Sequence, residues 1–88
     1  MLIRYFAAAQ AAVGVGQETL EFPDGSTLTD VINRLTELYP AAKAGGRPSL
    51  ANIVARSSFL RNEVALRDFH MPLHPTDVID ILPPFAGG

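Results

Sequence analysis

Apolar and polar residues alternate at the two ends of this chain and recur every three or four positions in its middle. From Leu2 to Ala7 the side chains alternate between two sides, Leu2, Arg4 and Phe6 on one and Ile3, Tyr5 and Ala7 on the other. That is the period of a strand. Arg4 belongs in water, so Ile3 and Tyr5 are expected in the core and Phe6 outside it. Ala8 to Val13 is alanine-rich and reads as a short helical turn, punctuated by Gly14 and Gly16. A second alternation, Gln17 to Phe22, places Leu20 and Phe22 inward. Pro23-Asp24-Gly25-Ser26 is a turn, because proline presets φ and glycine permits a positive one.

The longest helical pattern follows. Leu28, Val31, Ile32, Leu35, Leu38 and Tyr39 fall three and four apart, so they line one stripe. Thr27 is the expected N-cap, with Asp30 as its capping-box partner near the positive end of the helix dipole. Pro40 ends the helix and pushes Tyr39 out of the α region. Residues 41–48 read as a surface loop whose Gly45-Gly46 lacks the rest of a phosphate-binding loop. Ser49 to Arg56 is expected as a second helix, capped by Ser49, with Leu50, Ile53 and Val54 inward. Ser58–Arg61 and Val64–Arg67 form a hairpin around Asn62-Glu63. The last strand runs from Asp77 to Leu82, with Ile79 and Ile81 inward and Val78, Asp80 and Leu82 outward. Pro83-Pro84 stops it, since neither residue can donate to a sheet ladder. Two strands, a helix, short strands and a strong final strand make an α+β protein, a mixed sheet with a main helix packed across one face.

Composition narrows the chemistry. Eighty-eight residues, 48% of them hydrophobic and 18% charged, make one globular domain and leave no room for two. A net charge of -2 with scattered Lys and Arg offers no basic face for a phosphate backbone, so no nucleic acid is expected as a partner. The absence of cysteine removes disulfides, thiolate metal sites and cysteine catalysis. The N-terminal residues do not read as a signal peptide, and no apolar run is long enough to span a membrane. The expected location is the cytoplasm, with no membrane partner.

No catalytic set emerges from the residues. His70 and His74 are separated by Pro72 and are expected as solvated loop side chains, not metal ligands. Ser57-Ser58 has no base beside it. Asp77 and Asp80 fall on opposite strand faces and so are not a carboxylate pair. Arg61 and Arg67 are read as ordinary solvated charges, and nothing marks Lys43, the single lysine, as reactive.

The end of the chain is different. Pro83-Pro84-Phe85-Ala86-Gly87-Gly88 follows the last strand and reaches at most about 20 Å when extended. The prolines stiffen its base toward polyproline geometry. Ala86, Gly87 and Gly88 have almost no side chain, so they can enter a narrow channel and let another backbone come close. Residues 1–82 are therefore expected to form the domain and residues 83–88 a flexible tail.

The run Asp-Val-Ile-Asp-Ile-Leu-Pro-Pro-Phe-Ala-Gly-Gly resembles the C-terminus of the small subunit of molybdopterin synthase, a ubiquitin-like sulfur carrier related to ThiS. Phe6-Ala7-Ala8-Ala9 after the first strand, the length and the element order are similar as well. The resemblance is weakest at His74-Pro75-Thr76-Asp77, where many members have Asp-Gly-Asp, and around Leu60-Arg61-Asn62-Glu63. It implies a β-grasp fold in which the first and last strands are neighbours. Phe6 and Leu82 then share the exposed sheet face near the exit of the tail, and Pro83, Pro84, Phe85 and Ala86 contact partners. It also implies a mechanism. An activating enzyme uses ATP to adenylate the Gly88 carboxylate, with Gly87 beside it. Sulfur transfer makes a thiocarboxylate, and the charged carrier docks on the large synthase subunit to deliver sulfur to cyclic pyranopterin monophosphate. No cofactor is bound by the carrier, and the large subunit supplies the acid–base groups. Sulfur carriers for thiamine-thiazole or cysteine synthesis share this carboxyl chemistry, and a ubiquitin-like protein modifier would use the same end to acylate lysines.

Overall fold

The computed structural model describes residues 1–40 and 49–84. In chain order its elements are β1 (Leu2–Tyr5), α1 (Ala7–Val13), β2 (Gln17–Thr19), α2 (Leu28–Leu38), α3 (Leu50–Val54), β3 (Ser58–Arg61), β4 (Val64–Ala65) and β5 (Val78–Leu82). They build one mixed sheet of order β2-β1-β5-β3-β4. β5 lies parallel to β1, from Leu2↔Val78 to Tyr5↔Ile81, and antiparallel to β3. This is the β-grasp arrangement.

The strand periodicity sets which face is covered. Ile3, Tyr5, Phe59, Ile79 and Ile81 are buried, and with Leu28, Val31 and Leu35 of α2 and Leu50, Ile53 and Val54 of α3 they make the core. α2 begins as its sequence requires. The Thr27 side chain accepts from the Asp30 N–H, and the Asp30 carboxylate accepts from the Thr27 N–H at 2.9 Å. At its other end Tyr39 has ψ 72°, outside the helical range, as the following proline demands. The Ser49 side chain caps α3 by accepting from the Asn52 N–H.

Several elements are shorter than their patterns. β1 stops at Tyr5, not Ala7, because Phe6 is still extended but Ala7 turns to φ +49° and opens α1. β2 ends at Thr19, where its partner Leu2 ends the register. The amino group of Met1 still donates to the Leu20 carbonyl and the Leu20 N–H to that of Met1, both at 2.9 Å. Leu20 and Phe22 are inward, as expected, but only partly buried. β4 is cut to Val64–Ala65 because Leu66, whose N–H donates to Phe59, turns into the core. α3 ends at Val54, and β5 starts at Val78. Leu38 is 38% exposed and does not extend the buried stripe of α2.

Glu18 points inward with Leu20 and Phe22, and two phenols explain why a carboxylate can sit there. Tyr5 and Tyr39 both donate to Glu18 Oε2, at 2.6 and 2.7 Å, which ties β1, β2 and the end of α2 together. The hydrogen bond to Glu18, then burial, pushes the Tyr39 pKa up to about 12. Burial first, then Glu18, raises that of Tyr5 as well. A pKa raised on folding means that the native state holds its proton more tightly, so this stability is complete below the ordinary value near 10 and is lost as pH rises through the folded value. Thermal melts should therefore lose Tm between pH 10 and about 12, and Tyr39→Phe should show a shallower fall across that window.

Candidate functional site

Among the described residues the sheet has one face under the helices and one face open. Residues paired across strands point the same way, so the registers Leu2↔Val78, Arg4↔Asp80, Leu60↔Asp80 and Ser58↔Leu82 put Leu2, Arg4, Leu60, Val78, Asp80 and Leu82 together on the open face. Leu2, Leu60, Val78 and Leu82 are each half-buried there. Phe6 follows Tyr5, the partner of Ile81, so Phe6 and Leu82 stand next in line on neighbouring strands, and Phe6 is 40% exposed. The β1–β5 register ends at Tyr5↔Ile81, so both residues follow its last pair directly. Pro83 is half-buried and Pro84 exposed. They border a groove between α1 and α3 whose other lining includes Ala8, Ile53 and Arg56. Phe85, Ala86, Gly87 and Gly88 lie outside the described residues, as do Lys43 and Gly45-Gly46.

An ion pair occupies the middle of this face. Arg4 Nη2 donates to Asp80 Oδ2 at 2.7 Å while Arg4 Nε donates to Oδ1. Asp80 is 4% exposed although its face is open, because Arg4 and Leu60 flank it in register. A two-pronged guanidinium–carboxylate pair fixes both side chains more firmly than a single contact would. Sequence parity placed Arg4 and Asp80 on the same face, but only the parallel register makes them opposite neighbours.

The second ion pair corrects the reading of Arg61 as a solvated charge. Arg61 Nε donates to Asp77 Oδ2 at 2.7 Å, and its side chain is 30% exposed. Asp77 and Asp80 do fall on opposite faces, each with its own arginine. Asp77 also accepts from Asn62 Nδ2 and from the His74 N–H, both at 2.9 Å. Asn62 in turn accepts from the Val78 N–H and donates its own N–H to the Val78 carbonyl. Asp77 thereby staples the tip of the β3–β4 hairpin to the start of β5, and the unusual His74-Pro75-Thr76-Asp77 turn has a structural purpose. Burial works to raise the Asp77 pKa, but His74, Asn62 and Arg61 together outweigh it, so it is lowered.

A lowered carboxylate pKa stabilises the fold above its unfolded value of about 4, and that contribution is lost as pH falls through the folded value. Asp77→Asn keeps the shape and loses the charge. We expect it to cost about 1–3 kcal/mol at pH 7 and to flatten the acid limb of a Tm-against-pH curve. An unchanged acid limb would contradict this role.

Among the described residues no cluster of His, Asp and Glu could hold a metal ion. His70 and His74 are exposed, and His74 Nδ1 is 2.8 Å from Thr76 Oγ1. The Ser57 hydroxyl donates to the Ile53 carbonyl at 2.7 Å. Arg67 is exposed, as expected. No helix among the described residues is long and apolar enough to cross a membrane.

The non-glycine residues with positive φ among those described are Ala7, where β1 gives way to α1, and Asn62 and Glu63, at the tip of the β3–β4 hairpin. The sequence pointed to the hairpin but not to Glu63, although a two-residue turn of this kind calls for left-handed backbone at both positions.

Known proteins share this architecture. The crystal structure of SAMP1 from Haloferax volcanii matches with a TM-score of 0.75 at 21% identity, covering 100% of this chain and 98% of that one. The solution structure of small archaeal modifier protein 1 from Methanosarcina acetivorans matches at 0.70 and 27% identity, over 99% and 94%. A Pyrococcus furiosus protein described as a candidate molybdopterin converting factor, subunit 1, matches at 0.71 and 22% identity, over 94% of each chain. No curated protein sequence matches. The family model of the ThiS family matches residues 3–88, nearly the whole chain and through both terminal glycines. With its β-grasp sheet and that match, the chain belongs to the ThiS family of ubiquitin-like sulfur carriers.

Proposed function

We propose that this chain is the sulfur-carrying small subunit of a molybdopterin synthase, with Gly88 as the group that is charged. The observation that carries the reading is a family match that runs through Gly87-Gly88, in a chain whose last strand lies centrally in the sheet and leaves it through Pro83-Pro84. The Leu-Pro-Pro-Phe-Ala-Gly-Gly run and the Pyrococcus furiosus neighbour support the molybdopterin branch.

A carboxylate resists attack by nucleophiles, so it must first be activated. In the activating enzyme a Gly88 carboxylate oxygen attacks the α-phosphorus of ATP and pyrophosphate leaves. Hydrosulfide attacks the acyl carbon and AMP leaves, giving the thiocarboxylate directly. Where the sulfur arrives as a protein persulfide, AMP leaves to give an acyl disulfide, and a second thiol of the sulfur-delivering protein attacks its S–S bond, releasing the thiocarboxylate and forming a disulfide. The small residues at the end allow this carbon to reach an enclosed site. The open face serves as the platform. Phe6 and Leu82 meet the large subunit and the activating enzyme, and Pro83 to Ala86 guide the tail. Acid–base catalysis on cyclic pyranopterin monophosphate belongs to the large subunit.

The modifier neighbours favour a second reading, in which Gly88 is joined to lysines of target proteins. The family also includes the chemistry of thiamine-thiazole and cysteine sulfur supply. Binding of the purified chain to the partners of each pathway separates these readings. A complex with the large synthase subunit that converts the pyranopterin to molybdopterin is the expected result. Binding to a thiazole or cysteine synthase alone, or isopeptide adducts in cells without a free thiocarboxylate, would overturn the molybdopterin assignment.

A further inference from the structure

We infer that Glu63 is a docking residue, whose carboxylate meets a cation of the activating enzyme at the rim of the open face. The inference rests on the carrier reading in its broad form. Each version of that reading, sulfur carrier for any pathway or modifier, needs an enzyme that activates the chain end, so this partner is common to them all.

Glu63 is in surplus both to the turn and to the electrostatics of the isolated domain. Asn62 and Glu63 have φ of +49° and +69°, the left-handed backbone of a two-residue hairpin turn. Glycine fits the second position of such a turn without strain, while a residue with a Cβ is disfavoured there. Asn62 repays its strain by bonding Asp77 and Val78. Among the described residues the Glu63 side chain has no comparable partner: it is 81% exposed, and the cation it approaches is Arg4, with Nη2 3.9 Å from Oε2. That distance is too long for a hydrogen bond. Arg4 is already neutralised through two hydrogen bonds to Asp80. Among the described residues, Arg4, Asp80 and Glu63 therefore sum to one net negative charge at the edge of a face otherwise lined by Leu2, Leu60, Val78 and Leu82.

A carboxylate held in strained backbone beside an apolar patch fits a partner with a matching apolar patch and a Lys or Arg at its edge. Strain retained at an exposed position is a recognised mark of a functional site. A rim charge of this kind acts chiefly on the rate of encounter and its dependence on salt.

The test compares wild type, Glu63→Gln and Glu63→Gly for binding to the activating enzyme of the same organism, at low and at physiological salt. Glu63→Gln removes only the charge. It should slow association about 3- to 10-fold at low salt and make the salt dependence shallower. Glu63→Gly should bind as weakly while its Tm rises by several degrees, because the turn strain is relieved. Both variants should still be charged at saturating enzyme. If Glu63→Gln associates within about twofold of wild type and keeps its salt slope, the docking role is overturned while the carrier reading stands. If wild type itself neither binds the activating enzyme nor is charged by it, the carrier reading falls and takes this inference with it.

Discussion

Deleting Gly88 should abolish charging and leave the domain intact. The tail starts beyond β5, and the core is built from Ile3, Leu28, Val31, Leu35, Ile79 and their neighbours, so removal of the last residue touches no packed side chain described in the fold. Thermal melting should be unchanged. The reacting carbon, in contrast, moves back by one residue, about 3.3–3.6 Å. A displacement near 1 Å can already cost about 100-fold in a positioned reaction, so the truncated chain should give no detectable acyl-adenylate or thiocarboxylate. Gly87→Val should lose most of its charging too, because a branched side chain must enter the same channel. Full charging of the Gly88 deletion would mean that the chemistry sits elsewhere.

Loss of Leu82 or Phe6 should be the largest effect on partner binding away from the tail. Both residues stand where β1 and β5 end, on the face that none of the described helices covers. Burying each against a partner contributes roughly 1.5–3 kcal/mol, so Leu82→Ala and Phe6→Ala should each weaken the complex with the large subunit about 10-fold or more. Phe6 is exposed in the free chain, so its loss should barely change Tm. Leu38→Ala is the matched control: Leu38 is exposed to a similar degree but belongs to α2, in the layer on the other side of the sheet. Its affinity should equal wild type. Equal losses at Leu38 and Leu82 would move the docking surface away from the open face.

Much of this architecture is legible from local pattern. The stripe Leu28, Val31, Leu35 and its Thr27–Asp30 box specify α2, and the alternation of Ile79 and Ile81 specifies the inner face of β5. Parity alone also separates Phe6 and Leu82 from the core. What escaped the pattern depends on register and on long-range pairing. Arg61 reads as a surface charge until Asp77, sixteen positions away, is brought beside it. Arg4 and Asp80 pair only because β1 and β5 run parallel in one particular register. Glu18 looks misplaced among inward residues until the hydroxyls of Tyr5 and Tyr39 converge on it. The alternation runs past the true ends of β1 and β4 because one strained backbone position, Ala7, and one buried side chain, Leu66, redirect the chain.

The candidate site divides in the same way. The chemistry proposed for it rests on the last two residues, where the absence of side chains is the signal. Its platform is a tertiary property, since Leu2, Leu60, Val78 and Leu82 come from three strands and become one face only when the sheet forms. Glu63 carries no sequence signature beyond a turn that would accept glycine more comfortably.

Intact-mass spectrometry of the purified chain, after incubation with its activating enzyme, ATP and a sulfur donor, decides whether Gly88 takes up sulfur. The expected product is heavier by the replacement of one oxygen by sulfur, with fragmentation placing the change on Gly88. An unmodified chain under conditions where the enzyme consumes ATP, or a sulfur found on any other residue, would contradict the carrier reading.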